Sequence, residues 1–171
     1  MEFTEILEKR HSVRTYINRP VDDEAVDALL EAIQAAPSGG NRQAYKVAVV
    51  RDDEKRRRLA EASRSQAWML GAPVFFVFFA DIDRSKAGFG EKLTEIIPME
   101  DAVIAMTYAQ LAAFDLGLGT CWVAPFARDH AQEICGLEGN LIQTGILTVG
   151  HSTETAPKRK RRKIQEWAVR I

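Results

Sequence analysis

The sequence predicts a three-layer α/β or α+β sandwich, a central sheet covered by helices on both faces. Three observations carry this. Helical and strand-like segments alternate along most of the 171 residues. The segment Val74 to Ala80 (VFFVFFA) is apolar at every position, which suits a central strand buried between two layers. No internal repeat occurs, and no linker is long enough to divide the chain, so residues 1–171 read as one domain.

Met1 to Arg10 reads as a short helix with Phe3, Ile6 and Leu7 on one face, ending near His11-Ser12. Asp22 or Asp23 caps a second helix, whose apolar positions Val26, Leu29, Leu30 and Ile33 follow the i, i+3, i+4, i+7 rule. Pro37 stops it, and Pro37 to Asn41 (PSGGN) is a loop. Tyr45 to Val50 is a strand and Asp52 to Gln66 a charged helix. Beyond the Phe-rich strand, Arg84 to Ile97 is an irregular or partly helical connection. Pro98 suits the first turn of the next helix, which runs from about Met99 to Leu116. Its Ala, Met and Leu residues lie on most sides, which predicts burial. Gly117-Leu118-Gly119 ends it, Thr120 to Val123 is a strand, Arg128 to Cys135 a short helix and Leu141 to Val149 a strand. The final WAVRI suits one more edge strand, in this sheet or outside its own subunit.

Hydrophobic residues at 46% and charged residues at 27% are ordinary for a globular protein and exclude a disordered or fibrous chain. The longest strongly apolar stretch, Ala72 to Ala80, has 9 residues, against about 20 for a membrane-spanning helix. The N-terminal MEFTEILEKRHSVR lacks the apolar core of a secretory signal. The two cysteines, Cys121 and Cys135, are too few for a disulfide framework, so a reduced cytoplasmic setting is expected. His11, His130 and His151 are far apart and show no metal-ligand spacing. The net charge of −1 conceals a split, with +5 on residues 151–171 and −6 on the rest. Most of the positive charge lies in Lys158 to Lys163 (KRKRRK), which calls for an anionic partner.

Four segments could carry chemistry. In Arg10-His11-Ser12-Val13-Arg14, two guanidinium forks and a hydroxyl at a helix end suit an anion, although the block alone reads first as a solvated helix end with a capping serine. In Pro37-Ser38-Gly39-Gly40-Asn41-Arg42-Gln43, the glycines admit close approach of a ligand. The carboxamides of Asn41 and Gln43 match a heterocycle edge of alternating carbonyl and N–H groups, and an ordinary helix-to-strand turn is an equal reading. Gly117-Leu118-Gly119 follows a helix rather than a strand and lacks a third glycine, so it is not a Rossmann fingerprint. Cys121 has no base nearby in sequence and reads as a small buried hydrophobe. The KRKRRK run is short and has no interleaved aromatics, which speaks against nucleic acid.

Taken together and in this order, these segments resemble the nitroreductase family of flavin mononucleotide (FMN) enzymes. The resemblance rests on RHSVRTY (Arg10 to Tyr16), APSGGNRQ (Ala36 to Gln43), the helix from Asp101 to Leu116 leading into GLGTCW (Gly117 to Trp122), and the basic residues after His151. It covers almost the whole chain. It implies an α+β three-layer sandwich with a mixed, mainly antiparallel sheet, and a homodimer with FMN at the subunit interface. The arm 152–171 would reach the partner subunit. Arg10, Ser12 and Arg14 would meet the FMN phosphate, ribityl chain and pyrimidine edge, with His11 contacting through its backbone. Asn41, with Pro37, Ser38, Gly39 and Gln43, would approach the flavin from the partner. Trp122, Val123 and Ala124 would face the reactive edge of the ring, and Arg159 and Arg161 would close on the phosphate.

Two departures from the family stand out. Val123-Ala124-Pro125 stands where many relatives have small residues with free N–H groups, and Pro125 has no N–H to donate. Gln43 is followed by Ala44-Tyr45, where relatives often show Pro and an aromatic. The segment before the long helix is also short, which would leave the pocket open and the acceptor range broad.

The activity implied is electron transfer from NAD(P)H through FMN to a nitroaromatic, quinone or similar small acceptor by a ping-pong cycle, in a cytoplasmic protein that binds neither membrane nor nucleic acid. FMN carries the chemistry, so no catalytic side chain is expected, and Arg14 would stabilise the reduced flavin. An FMN store or sensor without turnover would use the same residues.

Overall fold

The computed structural model describes residues 1–64, 66–86, 93–124, 128–156 and 160–171. Helix α1 (Phe3–Lys9) is followed by α2 (Asp23–Gln34), β1 (Tyr45–Val50), α3 (Asp53–Ala62), β2 (Val74–Asp81) and α4 (Ile82–Lys86). Then come α5 (Ile96–Asp115), β3 (Gly119–Val123), α6 (Arg128–Cys135) and β4 (Leu141–Gly150). The four strands form one sheet in the order β1-β2-β4-β3, and every neighbouring pair is antiparallel. The parallel element of the expected mixed sheet is a single bridge, Ser12 to Thr120 on β3.

Strand β2 organises the layers. Side chains alternate across a strand, and Val74, Phe76 and Phe78 pack with α2 and α5, where Leu29, Ile33, Ala105 and Ala109 complete one core. Phe75, Val77 and Phe79 face the opposite side, with Leu59 of α3 and Ala131 and Ile134 of α6. The expected three layers are therefore present. Asp22 caps α2 by accepting from the Ala25 N–H at 2.8 Å, and Asp52 caps α3 through the Lys55 N–H at 2.8 Å.

Two expectations need correction, and two others are narrowed. The charged helix stops at Ala62 rather than Gln66, because the Ser63 hydroxyl donates to the Leu59 carbonyl and Arg64 turns left-handed at φ 61°. On α1 only Ile6 is buried, while Phe3 and Leu7 are exposed. On α5 one face is buried, but Val103, Ile104 and Tyr108 lie exposed on another. Of the two places expected for WAVRI, it adds no strand to this sheet, which leaves the place outside its own subunit, and Trp167, Val169 and Ile171 project into solvent beyond a short 3-10 turn, Ile164–Glu166. Among the described residues no helix is long and apolar enough to cross a membrane.

Candidate functional site

After α1 the chain runs extended along the outer edge of β3. The Val13 N–H donates to the Thr120 carbonyl at 2.8 Å. A Cβ on Gly119 would stand 2.9 Å from Cγ2 of Val13, so only glycine lets the strip lie this close. The other side of the strip is fastened to the chain leaving β4. The Ile17 N–H donates to the His151 carbonyl at 2.9 Å. Oε2 of Glu154 accepts from the N–H groups of both Arg14 and Thr15, each at 2.9 Å. The Ser152 hydroxyl donates to the Thr15 carbonyl at 2.6 Å. Below, the Tyr16 hydroxyl donates to the Val13 carbonyl at 3.0 Å and shares a 2.7 Å bond with the Thr148 hydroxyl. Val13 points into the interior, and Arg14 stays exposed with its guanidinium 5.6 Å from the centre of the Trp68 ring.

The charge at the start of the strip differs from that at Arg14, which lies beside Glu154. Burial holds the Arg10 guanidinium below its ordinary pKa, and the positive field of Arg161 adds to this. Among the described residues Arg10 has no carboxylate partner. A half-buried guanidinium in the field of a second cation favours an anion nearby. Nδ1 of His11 lies 3.1 Å from the Lys9 carbonyl, a contact that assigns the ring hydrogen to Nδ1. Nε2, on the other side of the ring, is buried and without a partner. Backbone donation from Arg14 and Thr15 holds the Glu154 carboxyl below the usual range, with the Arg14 bond the largest cause. Burial pushes the Cys121 thiol up, as expected of a small buried hydrophobe.

The second block, from Pro37 to Gln43, centres on a 3-10 turn, Gly39–Asn41. Asp101, buried on α5, accepts from the Gly39 N–H at 2.8 Å, and the Ser38 hydroxyl accepts from the Gln43 N–H at 3.0 Å. Gly40, Asn41 and Gln43 all have positive φ, at 56°, 54° and 50°. Such backbone in non-glycine residues is uncommon and marks a loop held by its surroundings. Nε2 of Gln43 donates to the carbonyl and to Oδ1 of Asn41, both at 3.2 Å, so the two carboxamides are braced against each other. The hydrogen bonds of Ser38, Gly39, Asn41 and Gln43 named above stay within the loop or reach α5. Loop and strip attach to opposite ends of α5, the loop to Asp101 in its second turn and the strip to Thr120 beyond its C-terminus.

On β3, Trp122 is 51% exposed, while the Val123 side chain belongs to the core, so only its backbone is free to face a ligand. Ala124 is exposed. Arg161 lies within the field of Arg10, and Pro125 and Arg159 fall outside the described residues. Sequence reasoning passed over Trp68, Asp101 and Glu154. Of these only Asp101 left a trace, a carboxylate on the face of an otherwise apolar helix.

The family model described as "Nitroreductase family" matches residues 7–81 and 63–151. A Bacillus subtilis protein named FMN reductase (NAD(P)H) is 32% identical, over 94% of this chain and 70% of its own length. Among solved structures, NfrA2 of B. megaterium superposes with a TM-score of 0.91 at 29% identity, covering 99% of this chain and 74% of that one. An FMN-dependent nitroreductase from Clostridium difficile superposes at 0.77 with 27% identity, covering 95% and 93%.

Proposed function

Because the chain belongs to the nitroreductase family, we propose that it is an FMN-dependent NAD(P)H oxidoreductase that passes electrons to nitroaromatic, quinone or similar small acceptors in a ping-pong cycle. The observation that carries this reading is Arg10, in the field of Arg161 and without a carboxylate partner among the described residues, next in sequence to His11 with its orphaned Nε2. An anionic cofactor with hydrogen-bonding groups satisfies both. The names of similar proteins, FMN reductase and FMN-dependent nitroreductase, agree.

Bound FMN would supply hydride acceptance and donation at its ring. In this reading Arg10 and Arg161, with Arg159 and Ser12, hold the phosphate. Arg14 presents a preorganised cation to the pyrimidine edge, where reduction places negative charge. The backbone of Val123 and the Ala124 N–H face the reactive edge beside Trp122. The Pro37–Gln43 loop, with Ser38, Gly39 and Asn41, serves the site of a second copy, since strip and loop attach to opposite ends of α5.

The same reading makes the protein one domain that acts as a homodimer, with the arm 152–171 crossing to the partner. The exposed apolar residues Phe3, Leu7, Val103, Ile104 and Tyr108 support it. Both cysteines are unpaired, in keeping with a reducing, cytoplasmic setting.

The test is direct. Purified protein should be yellow, release FMN on denaturation, bleach with NADH or NADPH and size as a dimer. Colourless protein that takes up no added FMN overturns the reading. Bound flavin without nicotinamide oxidation makes the protein a flavin store, and a monomer with full FMN content overturns the shared site.

A further inference from the structure

An exposed arginine samples many rotamers, and a cation that meets developing negative charge acts best when it need not reorganise. Arg14 is exposed, yet it is held from two sides. Its N–H and that of Thr15 bond the same oxygen of Glu154, each at 2.9 Å. Its guanidinium lies over the Trp68 ring at 5.6 Å, within the range of cation–π attraction. Trp68 is itself fixed, since Nε1 donates to Oε1 of Gln66 at 3.2 Å and the half-buried ring packs against the core beneath β2. It sits on the 3-10 segment Ala67–Gly71, remote in sequence from both the strip and the loop.

We propose that Trp68 and Glu154 are positioning residues for Arg14, the ring fixing its guanidinium and the carboxylate its backbone, and that this hold tunes the flavin toward its reduced form. The inference rests on the FMN reading above. Neither residue need touch the flavin. Releasing Arg14 weakens binding of reduced, anionic FMN more than of oxidised FMN, because only the reduced form places a full charge at the pyrimidine edge.

The experiment measures the midpoint potential of bound FMN in wild type, Trp68→Leu, Trp68→Phe, Arg14→Ala and the double variant Trp68→Leu/Arg14→Ala. Trp68→Leu should reduce the preference for reduced over oxidised FMN roughly tenfold, a fall of about 30 mV for a two-electron couple. Trp68→Phe, which keeps an aromatic face, should restore most of it. In the Arg14→Ala background the Trp68→Leu change should have no further effect, since the ring acts through the guanidinium. An unchanged potential in Trp68→Leu, or an equal fall with Arg14 absent, overturns the role of Trp68. Should Trp68→Leu not fold, Arg14→Lys probes the same contact from the other side. It surrenders the planar stack and should lower the potential, and a wild-type potential overturns the proposal.

The Glu154 arm is read without flavin. In FMN-free protein, Glu154→Ala should speed amide exchange at Arg14 and Thr15 at least tenfold and leave the β2 amides unchanged, and unchanged exchange overturns the clamp. Failure of the wild type to take up FMN would sink the functional reading instead, and the exchange measurement would still decide the clamp.

Discussion

Asp101, 2% exposed on α5, accepts a 2.8 Å hydrogen bond from the backbone N–H of Gly39. Its second oxygen is buried without a partner. A carboxylate in such a place is costly unless it does something a hydrocarbon cannot, and here it anchors a turn in which Asn41 and Gln43 adopt left-handed backbone. Asp101→Ala leaves the Gly39 N–H unsatisfied and should lower unfolding free energy by about 1–3 kcal/mol in urea titrations. Asp101→Asn keeps the acceptor and removes a buried charge, so it should cost less. A larger loss in Asn than in Ala would refute this account of the loop.

The field of Arg161 at Arg10 makes a prediction about ligand discrimination. If the two cations hold a phosphate, wild type should prefer FMN to riboflavin, which has the same ring and ribityl chain without the anion. A charge-assisted bond contributes about 1.5–3 kcal/mol, or roughly 10- to 100-fold in affinity. Arg10→Ala and Arg161→Ala should each shrink the preference by about that factor, with riboflavin affinity nearly unchanged. Equal losses for both ligands in a titration would move the anion site elsewhere.

Much of this architecture was legible in the sequence because it is set locally. The apolar run of β2, the Asp22 cap and the Pro98 helix start each follow from residues within a few positions of one another. So do the chemical characters of the strip and the loop. What stayed hidden is tertiary. Trp68 meets Arg14 across 54 positions, and Glu154 meets it across 140. The end of α3 is hidden from the sequence because the Ser63 hydroxyl bonds a helical carbonyl, a choice that helix periodicity does not register. The exposed face of α5 reads as buried in the sequence because apolar composition cannot tell a core from an exposed apolar patch.

Gly145 on β4 underlies Trp122. A Cβ there would overlap Nε1 of the indole and stand 3.0 Å from Cε of Met106. Gly145→Ala should therefore displace Trp122 and cost about 1–3 kcal/mol through overpacking. Trp122→Ala should cost little by itself, since the ring is half-exposed, and should relieve most of the Gly145→Ala penalty in a double-mutant cycle. Additive losses would show that the added methyl strains the strand rather than the indole.

The two thiols provide a prediction about pH. Burial pushes the Cys135 thiol up from an ordinary 9.0 to about 11, and burial raises Cys121 as well. A native state that holds a thiol proton more tightly than the unfolded chain gains stability below the ordinary thiol pKa and loses it as pH rises through the native value. For Cys135 the loss should fall between about pH 9 and 11. Chemical denaturation midpoints of wild type should drop more steeply across that window than those of Cys135→Ala, with parallel behaviour at pH 7. At pH 8 both native thiols should react with a disulfide reagent far more slowly than in urea, because thiolate is the attacking species. Rapid native labelling of Cys135 at pH 8, or identical midpoint slopes in the two proteins, would show that burial does not hold this proton.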